Sequence, residues 1–260
     1  GILPASTNGF VLTLDNTQPT GAKWAASSGG GTTLSPYIVG STGSDFTDIQ
    51  SAINQAVADG ASSTDPKNIY IKPGIYNENL TLYDGINLIG FDPAPNTLPL
   101  AIGLFAVSNQ SVQVTGSITY DSSSIAHSVE FRVYNIWITP PTGDVITLIG
   151  NPGLDQRFYF SCCRIDVNQT AQSVFNLTNS TVLVSDSVIN DYSSGGAPLF
   201  TISGDNNFYG SRSLLTPYTT YIVPDGASHN IALIGCTYAA QVSTSGTSSY
   251  SFACYHSTHF

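Results

Sequence analysis

A repeating pattern in the second half of the chain limits its possible folds more than any other feature. Short apolar segments recur about every 25 residues, a period typical of solenoid proteins. They read VEFRVYNIWIT, FYFSCCRIDV, TVLVSDSVIN, FYGSRSLLT, IALIGCTYA and SFACYHST, in chain order. Since the segments match column by column, each predicts one coil in a stack of short β-strands.

Three columns define the register that the repeat predicts. The first is apolar and contains Val133, Phe160, Val184, Tyr209, Leu233 and Phe252. Two residues later lies a small or polar column with Asn135, Cys162, Asp186, Ser211, Gly235 and Cys254. The second apolar column follows with Ile138, Ile165, Ile189, Leu214 and Tyr238. Each coil would bury its inward side chains by stacking on neighbours about 4.8 Å away. We therefore expect an all-β, right-handed parallel β-helix over residues 37–260.

One short amphipathic helix is predicted ahead of the coils. Apolar residues from Phe46 to Val57 follow helical spacing. Thr47 and Gln50 have the form of a capping box, which predicts Thr47 as the residue that caps the helix.

The same region carries a family resemblance. The segments DFTDIQSAI, IYIKPGIYNENL and INLIGFD resemble the opening of the pectin-lyase-like β-helix superfamily, and of pectinesterases in particular. The resemblance implies that the helix covers the N-terminal end of the coil stack and shields unpaired strand edges. It also implies that the GxYxE element from Gly74 to Glu78 is structural and says little about chemistry.

Residues 1–36 differ from the rest of the chain. They contain one strand-like run, FVLTL, and the triplet Gly29-Gly30-Gly31, with too little apolar content for a core of their own. One hypothesis is a disordered tag or linker. The other is an attachment or oligomerisation segment, and the region loosely resembles N-terminal segments of viral fibre and tail proteins. That resemblance predicts other virion proteins as partners of residues 1–36.

Charge and hydropathy argue against two classes of partner. Charged residues make up 9% of the chain, and the net charge is −10 with only seven lysines and arginines. Nucleic-acid binding depends on cationic contacts to phosphate, so we expect no nucleic-acid partner. No apolar run approaches the roughly 20 residues of a membrane-spanning helix, so we expect no membrane insertion.

Four cysteines, at positions 162, 163, 236 and 254, are predicted to be free thiols. Cys163 and Cys236 share a column but would lie about 14 Å apart, three coils at the strand spacing. Cys236 and Cys254 would lie on neighbouring coils but in adjacent columns. Free thiols favour assembly in a reducing compartment such as a host cytoplasm. Five glycosylation sequons, which favour secretion instead, occur at Asn79, Asn109, Asn168, Asn176 and Asn179.

The catalytic sets of related β-helix enzymes are absent from the sequence. Pectate lyases use an aspartate cluster for calcium with an arginine base, pectinesterases use motifs like QDT, DFIFG and LGRPW, and polygalacturonases use three aspartates with an RIK-like motif. Residues 204–215 follow a pectinesterase coil, but Thr216-Pro217-Tyr218 stands where that family places its catalytic motif. The resemblance therefore implies the fold without the activity.

One charged cluster remains as a candidate site. The predicted register places Arg212 one coil on and one column along from Asp186, with Arg164 and Asp166 one coil earlier. A carboxylate pair could perform general acid–base catalysis, whereas the alternative is a set of ion pairs on the solenoid wall. Four histidines are dispersed, at positions 127, 229, 256 and 259. We expect no metal and no cofactor.

Two functional hypotheses follow. The first is a non-enzymatic structural or host-interaction component of a virus or phage particle, such as a fibre, spike or tail protein. It would be a homotrimer located in the virion, with a surface glycan as a possible ligand. The second is a polysaccharide-active enzyme, secreted or attached to a virion, that acts on acidic glycans.

Overall fold

The computed structural model describes the chain in segments and divides it into two compact units, Gly1–Ser35 and Pro36–Phe260. The described residues are 10–14, 22–26, 37–91, 111–168, 173–192, 198–215, 219–222, 227–238, 241–244, 249–255 and 258–259. In the first unit, strands Phe10–Leu14 and Ala22–Ala26 pair antiparallel. The predicted strand FVLTL is therefore present, and the attachment role of residues 1–36 stays a prediction.

The second unit is the expected parallel β-helix, in which successive strands of the chain belong to three parallel sheets in turn. The first sheet has nine described strands: Tyr37–Val39, Lys67–Ile71, Ile86–Gly90, Val129–Tyr134, Gln156–Ser161, Thr181–Ser185, Asn206–Ser211, Ser228–Ile234 and Ser249–Tyr255. The second has eight: Gly74–Tyr76, Val112–Val114, Trp137–Ile138, Arg164–Val167, Val188–Asp191, Leu214–Leu215, Thr237–Tyr238 and Thr258–His259. The third has seven: Leu80–Thr81, Ile118–Asp121, Ile146–Ile149, Phe175–Thr178, Pro198–Ser203, Thr219–Ile222 and Gln241–Thr244.

The predicted columns hold for three coils and slip on two later ones. Val133, Phe160 and Val184 pair in register. On the next coil, however, Val184 pairs with Gly210, so the predicted placement of Tyr209 was wrong by one residue. In the final coil Leu233 pairs with Cys254, and the placement of Phe252 was wrong by two.

Gly210 explains the one-residue slip. A Cβ atom at this inward position would lie 2.8 Å from Leu233 Cδ2, so the space is already filled by its neighbour. Because the apolar pattern lacks a side chain there, it selects Tyr209 instead. The same correction replaces Ser211 by Arg212 and Leu214 by Leu215 in the later columns.

The corner between the first and second sheets has a repeated backbone conformation. One residue of each of five coils has a positive φ: Asn135, Cys162, Asp186, Arg212 and Gly235. Left-handed backbone is strained for residues other than glycine, and each such residue costs on the order of 1 kcal/mol. The corner therefore keeps its geometry across five different side chains.

Large aromatic residues fill the centre of the coil stack. Phe175 lies among Phe160, Phe200 and Phe208, with ring centroids 5.7–5.8 Å from its own. These four rings are buried and come from two of the sheets. The interior is thus a continuous apolar core that fixes which residues of each strand point outward.

The predicted helix is present over Ile49–Ala58, but Asp48 caps it and not Thr47. Asp48 Oδ1 accepts a hydrogen bond from the Ser51 amide at 2.8 Å. Gln50 does not complete a capping box, because its side-chain amide bonds to the backbone N–H and C=O of Thr81. No helix in the described part of the chain is long and apolar enough to cross a membrane.

Glu78, the last residue of the GxYxE element, anchors the helix to the coils. Its two carboxylate oxygens accept hydrogen bonds from the amides of Ile49 and Gln50, at 2.8 and 2.9 Å. Helix N-termini leave their first amides without intrahelical partners and favour negative charge. This glutamate therefore ties the helix N-terminus to the first coils.

Three of the four cysteines are described as free thiols, as predicted. Cys163 and Cys236 lie in the same inward column, with Ser187 and Ser213 on the coils between them. Burial raises the pKa of the Cys163 thiol to about 12, so this thiol stays protonated and unreactive at neutral pH. The side chain of Cys254 lies outside the described residues.

Candidate functional site

Asp186 and Arg212, two of the predicted site residues, form an ion pair between neighbouring coils. The Arg212 guanidinium donates from Nε to Oδ1 at 2.7 Å and from Nη2 to Oδ2 at 2.6 Å. Both residues occupy the left-handed corner, so they share a column instead of lying one column apart as predicted. The pair is exposed, and both carboxylate oxygens are occupied by the arginine.

Arg164 and Asp166, the other two, form a second pair on the outer face of the second sheet. The Asp166 side chain is only 4% exposed. It accepts hydrogen bonds from Arg164 Nε at 2.9 Å, Trp137 Nε1 at 2.8 Å and Asn190 Nδ2 at 2.9 Å. The Arg164 guanidinium also stacks 4.5 Å from the centroid of the Trp137 ring.

The Arg164 pKa reflects this packing. Burial lowers it, but the hydrogen bonds and charges of Asp166 and Tyr192 together outweigh burial and hold the pKa above its ordinary value. No hydrogen bond or ion pair joins the two charged pairs within the part of the chain that the structure describes. The four residues thus form two separate ion pairs, and their proposed acid–base role stays a prediction.

A shallow groove lies on the outer face of the first sheet. Its volume is about 260 Å³, the scale of a small ligand or one ring of a larger one. It spans three coils and is lined by Asp155, Arg157, Tyr159, Thr181, Leu183, Asn207 and Tyr209. Leu183 forms the floor, because it pairs with Tyr159 on one coil and with Tyr209 on the next.

The two tyrosines of the groove lie one coil before and one coil after Leu183. The Arg132 guanidinium, one coil before Tyr159, lies 4.7 Å from the centroid of its ring. One face of the Tyr159 ring is therefore covered by Arg132. Two coils separate the tyrosines by roughly 10 Å at the strand spacing. Leu183 lies on the coil between them, so its side chain occupies part of this spacing.

Polar groups line one side of the groove. Arg157 Nε donates to Asp155 Oδ1 at 2.9 Å, and this hydrogen bond raises the pKa of the guanidinium. Thr181 Oγ1 accepts from Asn207 Nδ2 at 3.2 Å. The groove therefore combines aromatic walls and an apolar floor with a rim of hydrogen-bonding groups, an arrangement suited to a ligand with both apolar faces and hydroxyl groups.

The sequence did not reveal this groove. The predicted register placed Tyr209 in an inward column, whereas the structure turns it outward with 43% of its surface exposed. The sequence signal that could have revealed it is Gly210, which takes the inward position where the neighbouring coils have Val184 and Leu233. No cluster of metal-ligating side chains occurs among the described residues.

Comparisons with known proteins give similarity in fold only. No family model matches the chain, and no curated protein matches it. Among solved structures, it is similar to two forms of the pectin methylesterase from Aspergillus niger, deglycosylated and penultimately deglycosylated. Each is 15% identical, over 86% of this chain and 85% of that chain, with TM-scores of 0.47 and 0.48.

A third similar structure is ORF18 of Geobacillus virus E2, at 12% identity. The match covers 94% of this chain and 68% of that chain, with a TM-score of 0.32. The assignment to the parallel β-helix fold follows from the sheet topology of this chain itself.

Proposed function

We propose that this chain is a non-enzymatic host-interaction component of a virus particle, a fibre or spike protein that binds surface glycans through the groove on its first sheet. The observation that carries the proposal is the lining of this groove, in which Tyr159, Leu183 and Tyr209 are flanked by hydrogen-bonding groups. Sugar rings present apolar faces and hydroxyl edges, and aromatic side chains with polar neighbours complement both.

The state of the carboxylates supports binding over catalysis. Both oxygens of Asp166 and both oxygens of Asp186 already accept hydrogen bonds from arginine. Asp155 at the groove is paired with Arg157. General acid–base catalysis needs a carboxyl group that can approach the reacting atoms, and these groups are occupied by protein partners.

Substitution of the groove tyrosines tests the proposal. On a panel of immobilised glycans, Tyr209→Ala should weaken binding of the full chain at least roughly tenfold, because loss of one stacking contact costs on the order of 1–3 kcal/mol. Tyr83→Ala is the matched control, since Tyr83 is 41% exposed but lies away from the groove, and should leave binding unchanged.

Three outcomes would overturn the proposal. They are no glycan binding by the unmodified chain, equal losses in both tyrosine variants, and depolymerisation of a bound polysaccharide that Asp186→Ala abolishes. The last result would establish the alternative hypothesis of a polysaccharide-active enzyme.

We also propose that the chain assembles as a homotrimer. Several large apolar side chains are exposed on its described surface, among them Ile75, Phe91 and Ile234 at 66%, 55% and 53%. Contact between copies would remove this apolar surface from water. Light scattering of the full chain should give three times the mass of 27.4 kDa, and a monodisperse monomer at micromolar concentration would refute the trimer.

A further inference from the structure

The charges around the groove are balanced in pairs. Arg132 donates to Glu130 Oε1 from Nε at 3.0 Å and from Nη2 at 2.7 Å, and Arg157 is held by Asp155. The charge of each arginine is therefore neutralised by an acidic residue two positions earlier in the sequence. Both arginines are thus paired, and the whole chain carries a net charge of −10, so this wall offers an anionic polymer no unpaired arginine among its described groove residues.

An uncharged ladder of polar side chains continues from the groove toward the last coils. Asn230 Nδ2 donates to Asn207 Oδ1 at 2.9 Å, and Ser251 Oγ donates to Asn230 Oδ1 at 2.6 Å. Together with Thr181 and Asn207, these residues form a row with one polar group on each of four successive coils.

The ladder has donors and acceptors to offer a ligand. A carboxamide has two N–H donors and two oxygen lone pairs. The contacts along the ladder use one N–H donor and one oxygen lone pair of Asn207. Asn230 is exposed, and it accepts from Ser251 while donating to Asn207. Sugar hydroxyls also both donate and accept, so a row of amides and hydroxyls complements an uncharged sugar chain without any ionic contact.

We infer that the ligand of the groove is an uncharged linear glycan that lies parallel to the helix axis. Its rings lie along the row of Thr181, Asn207, Asn230 and Ser251, beside the groove tyrosines. This inference rests on the proposed glycan-binding function and specifies its ligand class. It excludes the uronic-acid polymers whose recognition needs cationic groups that are not already paired.

Calorimetric titration of the full chain tests the inference with two sets of probes. Neutral hexasaccharides of glucose, mannose and galactose form one set, and oligogalacturonate of the same length forms the other. We expect at least one neutral hexasaccharide to bind, with an affinity that changes less than about twofold between low and high salt. Oligogalacturonate should bind at least roughly tenfold more weakly, and more weakly still at low salt because like charges repel.

A ladder variant tests the orientation of the ligand. Asn230→Ala should weaken binding of the neutral hexasaccharide roughly fivefold, the effect of about one hydrogen bond, while leaving a disaccharide of the same sugar unaffected. Asn176→Ala removes the same side chain from the wall of the third sheet and should change neither ligand. Thermal unfolding of both variants confirms that each is folded.

Each remaining outcome has a separate meaning. Tight, salt-sensitive binding of oligogalacturonate with no neutral ligand overturns the inference and leaves glycan binding by the groove intact. An equal loss for hexasaccharide and disaccharide in Asn230→Ala overturns the axial orientation. Failure of every glycan, neutral and acidic, overturns the proposed function itself.

Discussion

Replacing Phe175 with alanine should lower the free energy of unfolding by about 3–5 kcal/mol, the largest loss that we expect from one side chain. The Phe175 ring is fully buried and contacts the rings of Phe160, Phe200 and Phe208. Removing the ring loses the free energy gained by transferring it from water into the core. It also leaves a cavity between coils, and the hydrogen-bonded strands on both sides prevent this cavity from closing. Urea unfolding followed by tryptophan fluorescence measures the change.

Tyr209→Ala is the control for this experiment, because it removes a similar ring from the outer face of the same coil stack. Its cost should stay below about 1 kcal/mol, as for most surface substitutions. If the Phe175 variant lost no more than the Tyr209 variant, the aromatic core would not be the main support of these coils. Because solenoids can unfold in stages, the slope of the transition should be compared as well as its midpoint.

The second large effect is expected at Glu78. Glu78→Ala removes two hydrogen bonds from a carboxylate to helix amides, each worth about 1.5–3 kcal/mol, so we expect a loss of roughly 3 kcal/mol. The helix over Ile49–Ala58 should also exchange its amide hydrogens faster than the coils, since its attachment to residues 78–81 is weakened. Hydrogen exchange read by mass spectrometry, together with urea unfolding, measures both effects.

Glu130→Ala supplies the comparison for Glu78. Glu130 is half-exposed and pairs with Arg132 on the protein surface, so its removal should cost less than about 1 kcal/mol. Equal losses in the two glutamate variants, or unchanged exchange in the helix, would show that Glu78 does not anchor the N-terminal end of the stack.

The sequence predicted the architecture because a solenoid repeats its constraints. Each coil must place apolar residues inward at matching positions, so columns such as Val133, Phe160 and Val184 can be recognised without a structure. The separation of Cys163 and Cys236 followed from the same columns, since residues three coils apart cannot be bridged by a disulfide.

The prediction from sequence was wrong where two neighbouring residues fitted the same local pattern almost equally well. Thr47 and Asp48 can both cap a helix, and only the tertiary contacts of Glu78 and Gln50 select Asp48. At Gly210 the inward position has no side chain, and a shift of one residue exchanges the two faces of a strand. The candidate groove was missed for this reason, because its wall Tyr209 was assigned to the interior. The placement of Phe252 was wrong by two residues, a shift that does not exchange the two faces of a strand.

The prediction for the charged cluster was correct in its pairing and wrong in its geometry. Asp186 and Arg212 were expected to make contact, and they do. Arg164 and Asp166 were expected beside them, but their bonds run to Trp137 and Asn190 on another wall. Spacing along a repeat gives the coil on which a residue lies, but side-chain direction at a corner depends on the local backbone angle.

That corner has a consequence for how such a chain can change. At Asn135, Cys162, Asp186, Arg212 and Gly235 an amide, a thiol, an acid, a base and a hydrogen occupy the same backbone angle on consecutive coils. The sheets on either side impose the path of the chain, so the same backbone conformation recurs with a different surface group on each coil. The corner therefore presents a row of surface side chains, one on each coil, and a change of one residue there changes one group in the row.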